Sequence, residues 1–333
     1  MSTTEKCPYA NENSDHQEKS PVKIRFSLFF DGTLNNRTNT LSRQKKSEDY
    51  EDLSSSIFDS CDSYENDFTN IAILEWQLAT KQKGYEKFKA LYIEGIGTEN
   101  NEGDSVVIAG ASRGKGDTGI ETKVEKALKQ VYLYVIKNIE NDRAITIHLD
   151  SFGFSRGGAA ARHFIHKAII HRQYYLRGKL KKAGYEVKSI RVRFVGLFDT
   201  VASFGVNHSN DTKELNLDAI KLAEKVIQLA AAEEHRKNFR LTNINSALKQ
   251  GIGDQYFLPG VHSDVGGGYR DNYKENSLQL FDIDSIGWNS EEKKEAIRRE
   301  RKWLIEQGWY TTDELEETNF WNEVIGNRKS ISA

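Results

Sequence analysis

The chain has 333 residues, enough to bury a sizeable core in one large or two small domains. Its formal net charge is -2 and 29% of its residues are charged, which gives no electrostatic case for a nucleic-acid-binding protein. Two cysteines, Cys7 and Cys61, are too few for a disulfide scaffold or a cysteine zinc cluster. No apolar run approaches the roughly 18 residues that a membrane-spanning helix needs.

The chain opens with a polar tail. Residues 1–21 lack the apolar stretch of a signal peptide, so we expect a disordered tail on a protein made in the cytoplasm. Such a protein would need a dedicated export machine to act elsewhere.

Val22–Phe30 predicts a strand that is fully buried by its end, and Asp31-Gly32-Thr33 predicts a turn. Residues 34–66, rich in Asn, Ser, Lys and Asp, predict a long surface insertion.

Helical and strand patterns alternate over the rest of the chain. Apolar residues at helical spacing predict helices over Thr69–Gln82, Thr118–Asn138, Leu215–Phe239 and Ser290–Gln307. Short apolar runs predict strands over Ala90–Glu94, residues 145–149, Arg191–Phe198 and Gln255–Leu258, with a further strand start at Lys329–Ile331. The alternation predicts an α/β fold, with a mostly parallel central sheet and helices on both faces. We see no linker, and therefore expect one domain over residues 22–333.

Some segments between these elements are candidates for lids. Residues 99–119 predict a glycine-rich surface insertion. Together with the segments 34–66 and 205–214, this insertion could close over a site at the edge of the sheet.

The stretch from Ala144 to Phe164 carries the clearest chemical signal. A strand runs into Gly153-Phe154-Ser155-Arg156-Gly157, and an alanine-rich helix start follows. Strand, G-x-S-x-G and helix in this order are the context of a nucleophile elbow, a strained turn that exposes the serine hydroxyl. Side chains at Gly153 or Gly157 would collide with the strand or helix packed across the turn. The alternative interpretation is a Gly-Ser turn that only links a strand to a helix.

Three further polar groups, Asp31, Asp199 and His262, fall at the ends of predicted strands, where parallel sheets place their ligands. The order Ser155, Asp199, His262 is that of α/β-hydrolases. A serine hydroxyl is a weak nucleophile near neutral pH, so His262 would act as its base. Asp199 would hold the imidazole in the productive tautomer.

Each of these assignments has a rival. Asp264, two residues after His262, is the main alternative acid; otherwise it would cap a turn or order the Gly266-Gly267-Gly268 loop. Asp150 lies near the elbow and is a further candidate. His208 is the main competitor of His262 because it also lies in a loop. Other histidines fit strand or helix patterns, and we interpret them as core or surface residues, among them His148, His163, His166 and His171.

An oxyanion hole needs two donors aimed at the developing negative charge. The amide of Arg156, the residue after the nucleophile, is the expected first donor. Asp31 and Gly32, in the turn after the first strand, are the candidates for the second, although Asp31 also fits a plain turn residue. The mechanism needs no cofactor and no metal, and no metal-ligand spacing is visible.

Five blocks of the sequence occur together in order: F-F-D-G-T-L-N-N (29–36), Y-I-E-G-I-G-T-E (92–99), G-F-S-R-G-G-A-A-A-R (153–162), L-F-D-T-V-A-S-F-G (197–205) and P-G-V-H-S-D-V-G-G-G-Y (259–269). Over roughly residues 22–330 the chain resembles the α/β-hydrolase domain in the first family of type VI secretion lipase effectors. In that family the serine of G-F-S-R-G, the aspartate of F-D-T-V and the histidine of V-H-S-D form the triad. The resemblance therefore implies Ser155, Asp199 and His262, and favours Asp199 over Asp264.

The resemblance also implies an activity and a setting. It implies an α/β-hydrolase-like serine phospholipase of the A type, which cleaves carboxylic esters of glycerophospholipids in the membranes of rival bacteria. It implies secretion through a contractile needle, action from the periplasm, and an immunity protein in the producer. Family members usually continue well past Gly308-Trp309-Tyr310, which predicts a fragment or a short form. Two alternatives stay open: a soluble carboxylesterase or thioesterase, and a catalytically silent binding module on a hydrolase scaffold.

Overall fold

A computed structural model gives the architecture of the chain. It describes residues 20–48, 50–51, 62–78, 80–104, 119–173, 175–204, 209–210, 215–236, 239–270, 273–282, 291–318 and 323–331. Most of the predicted tail and of the predicted loop at residues 99–119 therefore lies outside the described residues. The same holds for most of the lid candidate at residues 205–214.

The secondary structure is a mixture of strands and helices. The described strands are β1 (Val22–Phe30), β2 (Lys87–Ile93), β3 (Ile145–Phe154), β4 (Val187–Phe198), β5 (Ser203–Phe204), β6 (Ser209–Asn210), β7 (Ala223–Ala231), β8 (Gly253–Leu258), β9 (Tyr273–Asp282), β10 (Leu315–Thr318) and β11 (Glu323–Ile331). The described α-helices are α1 (Arg37–Lys45), α2 (Asp62–Glu65), α3 (Asn70–Gln77), α4 (Ile120–Asn138), α5 (Arg156–Ile169), α6 (Leu176–Lys182), α7 (Asn245–Leu248), α8 (His262–Gly266) and α9 (Glu291–Glu306).

Six parallel strands form the main sheet, in the order β2-β1-β3-β4-β7-β8. Helices cover both of its faces. On one face, alternate residues of β1 such as Ile24 and Phe26 join Ile147 of β3 in a core with Val131 of α4 and Phe164 of α5. On the other face, Ile71 of α3 packs in a second cluster with Phe29 and Phe154. The predicted α/β fold with a parallel sheet is confirmed.

The prediction of one long helix over Leu215–Phe239 is wrong. A 3-10 helix occupies Leu217–Leu222, and strand β7 follows over Ala223–Ala231. Val226, Gln228 and Ala230 are buried at every second residue, which is the period of a strand. Gln228 counts as polar in a hydropathy pattern, yet it is buried and its amide donates to Thr242 O (3.2 Å) and Gln255 Oε1 (3.0 Å). When Gln228 is counted as polar, the other apolar residues of this segment recur at the spacing of a helix.

The other predicted helices and strands are found, most of them with shifted ends. Strand β1 matches its prediction residue for residue, and α4 and α9 match theirs within two residues. Helix α3 is shorter than predicted because Leu78 turns to extended backbone and packs with the cluster around Phe29. The predicted insertion at 34–66 contains α1 and α2, whose Asn39 and Ser63 side chains are buried and hydrogen-bonded to each other at 2.9 Å.

A second sheet was not predicted. Strands β10, β11 and β9 pair antiparallel in that order, and helix α9 contributes Ile297 and Leu304 to a small core with Leu315. A two-residue ladder joins β5 to β6. Within the part of the chain that the structure describes, no helix is both long enough and apolar enough to cross a membrane.

Candidate active site

Ser155 occupies the turn between β3 and α5. Its backbone has φ 56° and ψ -129°, a conformation that strains any residue with a side chain. A Cβ on Gly153 would lie 2.4 Å from Gly157 O, and a Cβ on Gly157 would lie 2.2 Å from Asp31 O. The predicted collisions at both glycines are therefore confirmed. Strand, strained serine and helix follow one another as the elbow pattern requires.

Hydrogen bonds to neighbouring segments hold this turn. The amide of Ser155 donates to Phe198 O (3.0 Å), and Ser155 O accepts from Gly158 N (2.9 Å) and Val201 N (3.2 Å). The elbow is thus tied to the end of β4, which is the strand that positions Asp199. Strain at Ser155 persists because the surrounding backbone fixes it from both sides.

Asp199 directly follows β4, also in a left-handed backbone conformation (φ 38°). Its amide donates to Leu229 O (2.7 Å), and its Oδ1 accepts from Ala231 N (2.9 Å). Its Oδ2 lies 2.6 Å from Nδ1 of His262. The carboxylate is therefore aimed by the next strand of the sheet at one ring nitrogen of His262.

His262 begins the short helix α8, a few residues after β8. Its ring packs between Phe154 (4.6 Å between ring centroids) and Phe239 (4.9 Å). Burial lowers the pKa of His262, and the hydrogen bond to Asp199 opposes that shift only in part. The imidazole is consequently neutral near pH 7, as a general base has to be.

Three residues that were not predicted from the sequence as site residues support His262. Its amide donates to Glu234 Oε2 (3.1 Å), and that carboxylate is held by Arg236 Nη2 (2.8 Å). Arg236 in turn lies 3.6 Å from the centroid of the Phe239 ring. All three residues follow β7, so the incorrect helix prediction concealed them. Recognising β7 as a strand would have placed its end at the same edge as Asp199.

The rival candidates have other partners. Asp264 Oδ2 accepts from Val261 N (2.7 Å), which is the turn-capping role considered for it. Asp150 is fully buried and pairs with Arg25 Nε (2.6 Å) and Arg193 Nε (3.0 Å). His208 lies outside the described residues.

The other histidines interpreted as core or surface residues are part-buried or buried: His148 lies in β3, His163 and His166 lie in α5, and His171 follows that helix. Nδ1 of His148 bonds the hydroxyl of Tyr85 (2.7 Å), and Nδ1 of His163 bonds Leu215 O (2.7 Å). His166 and His171 pack ring against ring, with centroids 5.8 Å apart.

A cavity of about 340 Å³ opens beside the Asp199–His262 pair. Ser155, Arg156 and His262 line it together with residues from α2 and from the turn after β1. Its volume suits one segment of a larger ligand. The structure thus brings the predicted nucleophile and base to one cavity and places the predicted acid against the base.

The predicted second oxyanion donors do not point into this cavity. The amide of Asp31 donates to Ile93 O (3.0 Å), and the amide of Gly32 donates to Asp31 Oδ1 (2.8 Å). The amide of Arg156 lies in the first turn of α5, where a helix has no carbonyl to accept it. Of the three candidates, only Arg156 keeps its amide available.

Asp31 is instead the centre of a buried hydrogen-bond cluster. Besides Gly32 N, its carboxylate accepts from Thr69 Oγ1 (2.7 Å) and from the Tyr92 hydroxyl (2.5 Å). Burial raises the pKa of Asp31 to about 6, although these three donors oppose the shift. No group of three or more His, Cys, Asp or Glu side chains that could hold a metal occurs among the described residues.

The chain matches one protein family in sequence and several solved structures in fold. The family is described as "T6SS, Phospholipase effector Tle1-like, catalytic domain", and the match covers residues 24–174 and 167–292. No curated protein matches the chain in sequence.

Among solved structures, the Tle1 effector bound to the VgrG spike of the type 6 secretion system aligns with a TM-score of 0.55 and 22% identity, over 97% of this chain and 74% of that chain. An uncharacterized protein from Pseudomonas aeruginosa aligns with a TM-score of 0.42 and 19% identity, over 75% and 42% of the two chains. A cold-adapted esterase from an Arctic intertidal metagenomic library aligns with a TM-score of 0.32 and 15% identity, over 74% and 77%. The first alignment shows a shared fold.

Proposed function

The chain belongs to the family of Tle1-like phospholipase effectors of type VI secretion, and on this premise we propose that it is a serine phospholipase of the A type. One observation supports the serine mechanism above all: a strained Ser155 and a neutral, aspartate-oriented His262 line one cavity. The substrate would be the carboxylic ester of a glycerophospholipid. No cofactor enters the proposed reaction.

The reaction proceeds through an acyl-enzyme. The Ser155 hydroxyl attacks the ester carbonyl carbon while its proton passes to Nε2 of His262, and the carbonyl electron pair moves onto oxygen. Collapse of this intermediate breaks the bond to the glycerol oxygen, which takes the proton from His262. Water then gives a proton to the same imidazole and attacks the acyl-enzyme. The fatty acid leaves and Ser155 recovers its proton. Asp199 stabilises the imidazolium in both halves of the cycle.

One side chain of the cavity, Arg156, supports a substrate with an anionic head. The Arg156 guanidinium has no ion pair or hydrogen bond with any described residue, and burial lowers its pKa to about 10. A cation in the first turn of a helix is also opposed by the helix dipole. A phosphodiester beside it would supply the missing negative charge.

Helix α2 of the predicted insertion borders the same cavity. Asp62 and Glu65 of α2, with Asn66 after it, line this cavity together with the elbow. This position supports the proposal that residues 34–66 act as a lid on one catalytic domain that runs from residue 22 onwards.

The proposal includes the setting of the reaction. The solved Tle1 effector is bound to a VgrG spike, and we extend this mode of delivery to the present chain, with action on target-cell membranes from the periplasm and an immunity protein in the producer. Co-elution of the chain with its own spike protein on size-exclusion chromatography tests the delivery step.

Release of free fatty acid from vesicles of phosphatidylethanolamine and phosphatidylglycerol tests the activity. We expect Ser155→Ala to lower turnover by about 10⁴-fold or more, because a lone member of a nucleophile–base pair supports little catalysis. Ser246→Ala is the matched control, since that buried hydroxyl has no hydrogen-bond partner among the described residues. Equal release by wild type and Ser155→Ala contradicts the proposal. Turnover of short soluble esters without release from vesicles indicates a soluble esterase instead.

A further inference from the structure

A buried ion pair lies beside His262 and is not part of the predicted triad. Oε1 of Glu234 accepts hydrogen bonds from the backbone amide and from Nε of Arg236, both at 2.8 Å, and Oε2 accepts from Nη2 at 2.8 Å. Only 8% of the Glu234 side chain and 12% of the Arg236 side chain are exposed. Parallel bonds between two planar groups fix both side chains in one geometry.

The pair contacts His262 on two sides. Oε2 of Glu234 also accepts from the backbone amide of His262 (3.1 Å), at the first residue of α8. The guanidinium of Arg236 lies 3.6 Å from the centroid of the Phe239 ring. That ring meets the imidazole at 75°, with 4.9 Å between the centroids. One ion pair therefore holds the backbone of His262 through a hydrogen bond and its ring through an aromatic contact.

Arg156 and Arg236 both line the cavity, but they differ in their partners. Arg236 uses Nε and Nη2 on Glu234, and its Nη1 lies 3.5 Å from the hydroxyl of Tyr269. The guanidinium of Arg156 has no ion pair or hydrogen bond with any described residue. Because the donors of Arg236 are already engaged inside the protein, this cation is suited to hold the base, and Arg156 is the one suited to meet a substrate.

We propose that Arg236 and Glu234 are positioning residues for His262. They hold its Nδ1 on Asp199 and leave its Nε2 available to Ser155. This inference rests on the proposed serine-hydrolase function and deepens it. Neither residue touches the reacting atoms or exchanges a proton. Their effect on rate is indirect, because a displacement of a catalytic group by about 1 Å costs about 10²-fold.

The two charges of the pair act on the imidazole in opposite senses. Next to the larger effects of burial and of Asp199, Arg236 lowers the pKa of His262 and Glu234 raises it. The other charged groups near this base are Arg156 on α5, Asp62 and Glu65 on α2, Glu233 before Glu234, and Asp264 on α8. Loss of position and loss of charge can therefore be separated by comparing single variants with the double variant.

Turnover tests the position. We expect Arg236→Met to lower kcat about 10²-fold with KM nearly unchanged. Arg236→Lys keeps the charge but loses the parallel bonds, so it should restore only a minor part of kcat. Glu234→Gln combined with Arg236→Met should lose no more than Arg236→Met alone, because the pair acts as a unit. Arg143→Met is the matched control, since Arg143 makes two 3.0 Å bonds to Glu86 on the surface, and it should keep the wild-type kcat.

The pH dependence of kcat/KM tests the charges. Its acidic limb should move to higher pH in Arg236→Met, because Glu234 without its partner favours the imidazolium, and to lower pH in Glu234→Gln. In the double variant the limb should return towards the wild-type position while kcat stays low. A purely structural role would not shift the two single variants in opposite directions, and equal shifts in both would overturn the assignment.

The far-downfield proton resonance of the hydrogen bond between His262 Nδ1 and Asp199 gives a readout that does not depend on turnover. A longer bond moves this resonance upfield, which we expect in Arg236→Met samples that urea unfolding shows to be folded. If that variant does not fold, the double variant replaces it, because it leaves no unpaired buried charge. An unchanged resonance would overturn the assignment whatever the kcat. A wild type that shows the resonance but neither reacts with a fluorophosphonate at Ser155 nor releases fatty acid would instead refute the proposed function.

Discussion

Two clusters of buried polar groups lie at neighbouring strand ends of the main sheet. One cluster contains an ion pair, and the carboxylate of the other accepts hydrogen bonds from neutral donors. At the end of β2, Glu94 meets the buried ammonium of Lys123 at 2.8 Å, and Lys123 also bonds Thr98 O (2.6 Å) and Glu99 Oε1 (2.9 Å). At the end of β1, Asp31 is just as buried but meets only neutral donors at hydrogen-bonding distance.

As a result, the pKa values of the two carboxylates are shifted in opposite directions. Burial alone would raise the pKa of Glu94, but the charge of Lys123 and the hydrogen bonds from the two lysines of this cluster outweigh it and leave the pKa at about 2. Burial dominates at Asp31 and raises its pKa to about 6. In the paired cluster each buried charge compensates another, so removal of one partner would destabilise the fold. The elbow beside the other cluster keeps the strained Ser155 backbone and the Arg156 amide where the proposed chemistry takes place.

The largest expected effect is on turnover and comes from Asp199→Asn. The oxygen of the introduced amide can still accept the hydrogen bond from Ala231 N, which leaves an NH₂ group facing His262 Nδ1. That group cannot accept a hydrogen bond, so the imidazole would adopt the wrong tautomer, and we expect kcat to fall about 10⁴-fold with little change in stability. Steady-state hydrolysis and urea unfolding measure the two quantities. Asp254→Asn, at a half-exposed surface pair with Lys225, is the control. Wild-type kcat in Asp199→Asn would mean that another acid orients His262.

Lys123→Met should instead lower the stability of the fold and leave turnover nearly unchanged. It leaves the buried Glu94 without its main partner, and we expect a loss of about 3–5 kcal/mol in the free energy of unfolding. The kcat of the folded protein should stay close to wild type, because Lys123 does not line the cavity.

Lys126→Met is the matched control for that loss. It removes a cation from the same cluster that is 34% exposed, and it should cost less than about 1 kcal/mol. Chemical unfolding of the two variants side by side makes the comparison. Equal losses would show that the burial of Lys123 does not determine its contribution to the free energy of unfolding.

The smallest effect depends on pH and comes from Asp31→Asn. Because the folded pKa of Asp31 is raised from 3.8 to about 6, its contribution to stability is fully present below pH 3.8 and is lost as the pH rises through 6. The variant has no such loss. The stability of Asp31→Asn relative to wild type should therefore increase by up to about 3 kcal/mol between pH 4 and pH 8. Urea unfolding at both pH values measures this, and a difference independent of pH would contradict the raised pKa.

The sequence predicted most of the sheet because its signals are local. Strand β1 and the elbow at Ser155 follow from a buried apolar run and from glycines placed where backbones cross. The prediction failed at β7, because hydropathy counts the buried Gln228 as polar and only its partner Gln255 on β8 shows why it is buried. Of the second sheet the sequence predicted only a strand start at Lys329–Ile331, within β11. The pairing of β9 with β11 joins segments distant in sequence, and such pairing leaves no periodic pattern within either strand.

For the site, the sequence by itself determined residue types and their order: a serine in an elbow, and an aspartate and a histidine after later strands. It could not determine which donors are already used. The amides of Asp31 and Gly32 looked suitable because they follow β1, yet Ile93 O on β2 and the Asp31 carboxylate accept them. Only the tertiary structure decided that both of these amides already have acceptors and that His262 Nδ1 lies 2.6 Å from Asp199 Oδ2. The physical reason is that each hydrogen can serve one acceptor, and the acceptors come from strands that meet only when the sheet forms.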